Sequence, residues 1–533
     1  MPSSSSADIS SILPPKHLTA EERAGVFQHL LSRLASYCNA AELYAQVEYA
    51  LGNPERTGAQ RQDQFNNEIQ QWAQDLLEKA WMVCGESQGE CPRLGEYTDT
   101  STGGLFRLPK QEDLVRTLNS ILFLHITTSK QYSARARTFL SEFGQLDEKS
   151  IISTLKNPVR AIGDAQEQTD VSRKAHAERG KTLRAVGMGF GALAGGVLVG
   201  VTGGLAAPLV GAGVTTLLGW FGVGGTAIGL LASGLAGSSV VCGALFGTYG
   251  ARSTATMVER HTREVRDLAI VPVGNITGNE TLGIRLCVSG WLSCLEDVTA
   301  PWTVYGGDDT YALRWEVDAL QDLSSALVAL LKSHTMKYVK AAVIKRTVLA
   351  TLMHSLAPIA LLKIGEIIDN PWMNAKALAS KTGVVLGDLL AKNVFGKRPV
   401  TLSGYSLGSL VIFEALKYLA SLPPVQTTHL IQDVYLFGTP TTTDPIVWAS
   451  IRRLVSGRLV NGYSNNDYVL AVLCRASDAS WNVAGLQAVD VRGVENILCE
   501  GVDGHTKWRG MIGHCLEECG ASGITQMAAE ISD

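Results

Sequence analysis

From Arg398 to Phe413 the chain reads Arg-Pro-Val-Thr-Leu-Ser-Gly-Tyr-Ser-Leu-Gly-Ser-Leu-Val-Ile-Phe. Val400 to Ser403 has the character of a short buried strand, and the run from Leu407 to about Leu419 that of a helix with an apolar face. Between them Gly404-Tyr405-Ser406-Leu407-Gly408 fits the Gly-x-Ser-x-Gly turn of a nucleophile elbow. The turn from strand to helix strains the backbone at the serine, so the residues two away on each side must lack bulk. It lifts the Ser406 hydroxyl above the sheet and sets the Leu407 amide at a helix N-terminus, facing any developing oxyanion.

The surroundings of that turn read as an α/β domain. Strand candidates at Leu282–Val288, Thr310–Val317, Gln432–Phe437, Leu459–Tyr463 and about Glu495–Glu500 alternate with helical patterns at Leu320–Leu331 and Ala375–Leu390. This alternation implies a doubly wound, mostly parallel sheet with helices on both faces. Lys340–Ile368 is a long apolar helical pattern, interrupted by His354 and Pro358; it reads as a cover for the sheet or a dip into a membrane surface. With 533 residues there is room for two to four domains. The expected division is a disordered N-terminus at 1–15, a helical region at 16–184, a glycine-rich transmembrane hairpin at 185–251, an α/β-hydrolase-like domain at 267–519 and a C-terminal tail at 520–533. Within the helical region Phe65, Ile69, Trp72, Leu76 and Ala80 form one apolar stripe. A further helix starts near Pro109, a suitable first-turn proline, and carries His125 as a packed residue. This region shows no chemistry of its own and suits a structural or partner-binding role.

Functional groups in such sheets gather where the strands' carboxyl ends meet the loops. Ser406, Asp467 and His505 follow strand ends in the chain order expected of an α/β-hydrolase. In that reading Ser406 attacks a carbonyl carbon and His505 takes its proton. Asp467 fixes the imidazole tautomer and stabilises the imidazolium. The second oxyanion donor falls in Ser289-Gly290-Trp291-Leu292, with the Trp291 amide ahead of that of Leu292, opposite Leu407. Asp444 is the rival for the acid and His514 for the base; Asp467 could instead cap the helix that follows it. Asp503 reads as a turn residue. The ten cysteines form no zinc pattern, so no metal or organic cofactor is expected, and they read as reduced thiols. A net charge of -4 gives no reason to expect a nucleic-acid partner.

Charged residues make up 18% of the chain and mean hydropathy is +0.11, a pairing that points to a membrane segment or a large buried core. From Ala185 to Ala251 there is no Asp, Glu, Lys, Arg or His. That is more than three times the roughly 20 residues needed to cross a bilayer as a helix. Glycine recurs there at four-residue spacing (Gly187, Gly191, Gly195; Gly196, Gly200, Gly204; Gly225, Gly229; Gly243, Gly247), which lets helix backbones approach closely. Arg173, Lys174, Arg179, Lys181 and Arg184 precede the stretch, and Arg252, Arg260, Arg263 and Arg266 follow it. Positive flanks on both sides imply an even number of spans with both ends cytosolic. The competing expectation is a glycine-rich helical pair buried in protein, or one lying shallowly in one leaflet. The lack of ionisable groups argues against an ion path. Met1 to Lys16 holds no apolar core of a secretory signal.

Six stretches together resemble the transmembrane and coiled-coil domain-containing protein 4 family, a eukaryotic family, over about residues 110–515. They are Gly200–Pro208, Val288–Leu292, Leu313–Glu316, Ile368–Trp372, Gly404–Gly408 and Asn461–Asp467. The resemblance implies a membrane-associated α/β-hydrolase-like domain with Ser406, Asp467 and His505 in the catalytic positions. The expectation is therefore a membrane-anchored serine hydrolase, lipase-like, acting on a membrane lipid ester. The alternative is a catalytically silent hydrolase-fold adaptor in vesicle trafficking, binding a protein partner through the helical region.

Overall fold

The computed structural model describes residues 12–52, 56–85, 90–95, 98–161, 225–246, 265, 267–274, 281–332, 358–478 and 482–525. The described chain divides into two compact units. The first takes residues up to 36, then 73–132 and 139–245; the second takes 37–72, 133–138 and 246 onward.

The first unit is helical among its described residues. It draws on α1 (Ala20–Leu51), α2 (Arg56–Cys84), α3 (Gln111–Ser129), α4 (Ala134–Ser141), α5 (Glu148–Lys156), α6 (Gly225–Ala236) and α7 (Ser238–Phe246), of which α1, α2, α4 and α7 are shared with the second. Leu114, Leu118, Ile121, Leu122 and His125 recur every three or four residues along α3 and are all buried, so one helix face meets the core. The α3 N-cap is Lys110, so Pro109 stands outside the helix and is not its first-turn residue. Extended backbone before a cap suits proline as well as the first turn does. Phe27 and Trp81 pack edge to face, 4.9 Å between ring centroids. His125 is buried and its Nδ1 lies 3.2 Å from Asp75 Oδ2, while Lys79 Nζ is 2.8 Å from Oδ1 of the same carboxylate.

The described part of the glycine-rich stretch is α6 and α7, of 12 and 9 residues. Leu231, Ala232, Leu235, Val241 and Leu245 are buried. A Cβ on Gly234 would stand 2.8 Å from Thr127 Cβ and 2.8 Å from its Oγ1, so the missing side chain is what lets α6 approach α3. Among the described residues no helix is long and apolar enough to cross a membrane. Residues 185–224 and 247–251, the rest of the expected hairpin, lie outside the described residues.

The second unit is built on a seven-stranded sheet: β1 (Leu268–Pro272), β2 (Ile284–Val288), β3 (Asp309–Trp315), β4 (Val400–Tyr405), β5 (Ile431–Phe437), β6 (Leu459–Tyr463) and β7 (Val494–Leu498). The order is β1-β3-β2-β4-β5-β6-β7, with β1 antiparallel to β3 and every other pair parallel. Central β2 and β4 are buried throughout, as strands covered on both faces must be. The helices after the strands are α8 (Val317–Lys332), α9 (Pro358–Ala391), α10 (Leu407–Ser421), the short α11 (Pro424–Thr427), α12 (Pro445–Leu454), α13 (Tyr468–Asp478) and α14 (Trp508–Glu518). The Ala375–Leu390 pattern is the second half of α9, which runs through Pro371 without ending. An interior proline costs about 3 kcal/mol; burial of Trp372, Ala375, Ala379, Leu386, Leu389 and Leu390 on the same helix offsets it. Residues 340–357 of the apolar pattern before it lie outside the described residues.

The sheet reverses its winding between β2 and β4: the chain leaves β2 toward β3 on one side and leaves β4 toward β5 on the other. Loops leaving the carboxyl ends of such a pair diverge and open a crevice.

Candidate active site

Ser406 stands at that switch point, directly after β4. Its φ of 55° and ψ of −129° lie in a region that L-residues seldom enter, and its amide donates to the Phe437 carbonyl at 2.8 Å. The flanking glycines are required sterically. A Cβ on Gly404 would come within 2.8 Å of Ile412 Cδ1, and one on Gly408 would come within 2.0 Å of the Val288 carbonyl oxygen. The loop after β2 therefore lies directly against the turn after β4. Gly290 completes the fit, since its Cβ would stand 2.5 Å from the Leu407 nitrogen and 2.7 Å from Ser406 Cβ.

Several side chains brace this loop. Trp302 Nε1 donates to Ser289 Oγ at 3.1 Å and Trp315 Nε1 to the Ser289 carbonyl at 3.0 Å. Ser289 Oγ in turn donates to the Asp297 carbonyl at 2.8 Å. Asp297 Oδ2 accepts from the amides of Ser293 and Cys294, and Arg509 Nε stands 3.3 Å from its Oδ1. Tyr405 hydroxyl donates to the Trp291 carbonyl at 3.3 Å. The Gly290-Trp291 segment is thus held alongside the N-terminus of α10.

His505 reaches Ser406 from the loop after β7. Gly504 before it has a φ of 99°, and a Cβ there would crowd the Tyr468 ring. His505 Nε2 lies 2.5 Å from Ser406 Oγ and its Nδ1 lies 2.7 Å from Asp467 Oδ2. Ser406, Asp467 and His505 are each 0% exposed. The carboxylate has two further donors: Trp508 Nε1 at 2.9 Å on Oδ2 and the Leu470 amide at 3.0 Å on Oδ1. Asp467 therefore caps α13 and orients His505 at once; the two readings of this residue are compatible. Gly438, with a φ of 57°, makes room for Trp508, whose Nε1 would be 2.4 Å from a Cβ there.

The rivals lie elsewhere. Asp444 caps α12, its Oδ1 accepting from the Ile446 amide at 2.9 Å. His514 is exposed on α14. Trp508, Trp302 and Asp297 were not visible in the sequence, because each acts through a partner brought in by the fold. Trp315 and Trp372 do stand in stretches the sequence singles out. Trp372 meets the His505 ring edge to face, centroids 6.5 Å apart. Among the described residues no group of three or more His, Cys, Asp and Glu is placed to hold a metal ion. A hydroxyl, an imidazole and a carboxylate in one hydrogen-bonded line can move a proton off the hydroxyl as it attacks a carbon.

The chain that carries this buried Ser-His-Asp line at the switch point of its sheet has similar proteins in several organisms. It belongs to the family described as "Protein of unknown function (DUF726)", which it matches over residues 180–522. It is 33% identical over 480 residues to an uncharacterized membrane protein of Schizosaccharomyces pombe, covering 86% of this chain and 79% of the relative. It is 34% identical over 367 residues to the transmembrane and coiled-coil domain-containing protein STS1 of Oryza sativa subsp. japonica, covering 67% of this chain and 55% of that one. It is also 32% identical over 459 residues to a protein of Saccharomyces cerevisiae named probable lipase MIL1, covering 79% of this chain and 40% of that one. No solved structure matches the chain.

Proposed function

We propose that the chain is a membrane-anchored serine hydrolase of α/β-hydrolase type, acting on a lipid ester. The observation that carries this reading is the buried line Asp467–His505–Ser406 ending on a strained turn. Ser406 Oγ bonds to the acyl carbon as His505 Nε2 takes its proton. Asp467 stabilises the imidazolium, and the Leu407 and Trp291 amides take the oxyanion. The carbon–oxygen bond then breaks, His505 returns the proton to the leaving alcohol, and water repeats the sequence on the acyl group. One oxyanion donor is worth about 3 kcal/mol of transition-state stabilisation. A relative named probable lipase supports the lipid ester, and relatives named membrane proteins support membrane association. The charge-free stretch from Ala185 to Ala251, as an inserted hairpin, would hold Ser406 near lipid and raise its effective concentration there. Complete burial of the three side chains means that substrate enters only after covering elements move.

The test uses the full chain in membranes and a fluorophosphonate probe. The natural chain labels and Ser406→Ala does not; equal labelling of both removes the enzyme reading. The closed site also gives substance to a second reading, a silent hydrolase-fold adaptor, which predicts no labelling of either and a cellular role that survives Ser406→Ala.

A further inference from the structure

The Ile368–Trp372 stretch plays no part in the chemistry above. Trp372 stands in the middle of α9, one residue after Pro371. Its indole is buried and meets the His505 imidazole at an interplanar angle of 84°. Its Nε1–H has no hydrogen-bond partner among the described residues. Trp302 and Trp315 donate to Ser289 and Trp508 donates to Asp467, whereas the Trp291 indole on the oxyanion loop is left without a partner as that of Trp372 is, though it is Trp372 whose ring contact with His505 is observed. A buried donor left unpaired costs about 1–3 kcal/mol. Phenylalanine would keep an aromatic ring in place without that cost. An orphaned donor of this kind calls for an explanation in function.

We propose that the Trp372 indole N–H donates to the leaving-group oxygen of the bound ester, so that the site selects oxoesters over thioesters. This rests on the hydrolase reading above. The leaving oxygen must lie beside the imidazole, because His505 Nε2 hands it a proton as the carbon–oxygen bond breaks. Trp372 packs against that same ring. An ester oxygen there pairs the N–H and recovers its cost, whereas sulfur is a weak acceptor and leaves it unpaired. One hydrogen bond of ordinary net strength corresponds to about a tenfold preference.

The probes are phenyl butyrate and S-phenyl thiobutyrate, offered to the full chain in mixed lipid–detergent micelles. The natural chain is expected to show a ratio of kcat/KM, oxoester over thioester, about tenfold above the ratio for hydroxide in water. Trp372→Phe is expected to bring the ratio down to near the hydroxide value. A ratio in the natural chain equal to that of hydroxide overturns the inference, and this measurement needs no variant to fold. A ratio unchanged by Trp372→Phe overturns it as well. Fluorophosphonate labelling of the natural chain separates the two levels. No labelling removes the hydrolase reading and this inference with it; labelling with an unchanged ratio removes the inference alone.

Discussion

Glycine does different work at the Ser406 turn and along α6. At the turn, Gly408 lets backbone meet backbone: its Cβ would fall on the Val288 carbonyl. On α6, Gly234 lets backbone meet a side chain, Thr127. A third case shows what the spacing means. Gly383 and Gly387 on α9 are four residues apart, and their Cβ atoms would come within 2.6 Å of the Val411 carbonyl and 2.9 Å of the Ala415 carbonyl on α10. That pair sits beside a buried sheet, within the core of the second unit. Glycine at four-residue spacing therefore reports how closely two helices approach, and says nothing about whether lipid surrounds them. The charge-free composition from Ala185 to Ala251, and not its glycine period, is what argues for a bilayer.

The strongest way to break this contrast is Gly408→Ala. The atoms in the way are backbone, so the β2 loop must move off the turn. A displacement of about 1 Å at a catalytic constellation costs about a hundredfold in rate. Fluorophosphonate labelling and ester hydrolysis by Gly408→Ala are expected to fall at least that far. Labelling at the natural rate would mean that the loop and the turn do not act together.

Gly234→Ala gives a smaller effect whose sign decides between surroundings. On a helix face with open space, alanine stabilises by up to about 1 kcal/mol relative to glycine. Against Thr127, whose hydroxyl is already committed to the Phe123 carbonyl at 2.8 Å, the added methyl costs about 1–3 kcal/mol. The unfolding midpoint of the full chain is expected to fall. A rise would mean that α6 does not pack on α3 in solution.

How much of this could be read in advance follows from how local each signal is. The Ser406 turn needs two glycines at fixed offsets, so five residues suffice to suggest it. Asp467 and His505 come forward because each follows a strand-like run. The central strands are easy to see, because Ile284, Leu286 and Val288 in β2 and Val400 and Leu402 in β4 recur at every second residue. The edge strand β1 is not: Leu268–Val271 is an apolar run, but it is short, only partly buried, ends in proline and pairs antiparallel, outside the alternation of strands with helices. The continuity of α9 through Pro371 was hidden because proline ordinarily marks a boundary. The bond from Trp508 to Asp467 spans 41 residues and depends on how α14 is placed, which no spacing encodes. Likewise, only the fold reveals that the Trp372 N–H is unpaired.

Carboxylates extend the contrast between the two regions. Asp467 is sealed, whereas Asp75 in the helical unit has a side chain 40% exposed, next to His125 and Lys79. Partial burial alone would raise the Asp75 pKa, but hydrogen bonds and charge from His125 and Lys79 outweigh it and hold the group down to about 2. A carboxyl depressed on folding contributes stability that is present above its unfolded pKa of about 3.9 and is lost as pH falls through the folded value. The helical unit should therefore weaken between about pH 4 and pH 2, in a window set by these directions. Solvent screening of a carboxylate 40% exposed keeps the effect small. Thermal unfolding of the full chain followed across that window is expected to show a shallower acid slope for Asp75→Asn than for the natural chain. Identical slopes would mean that the His125–Asp75–Lys79 contact contributes nothing to the stability of the helical unit.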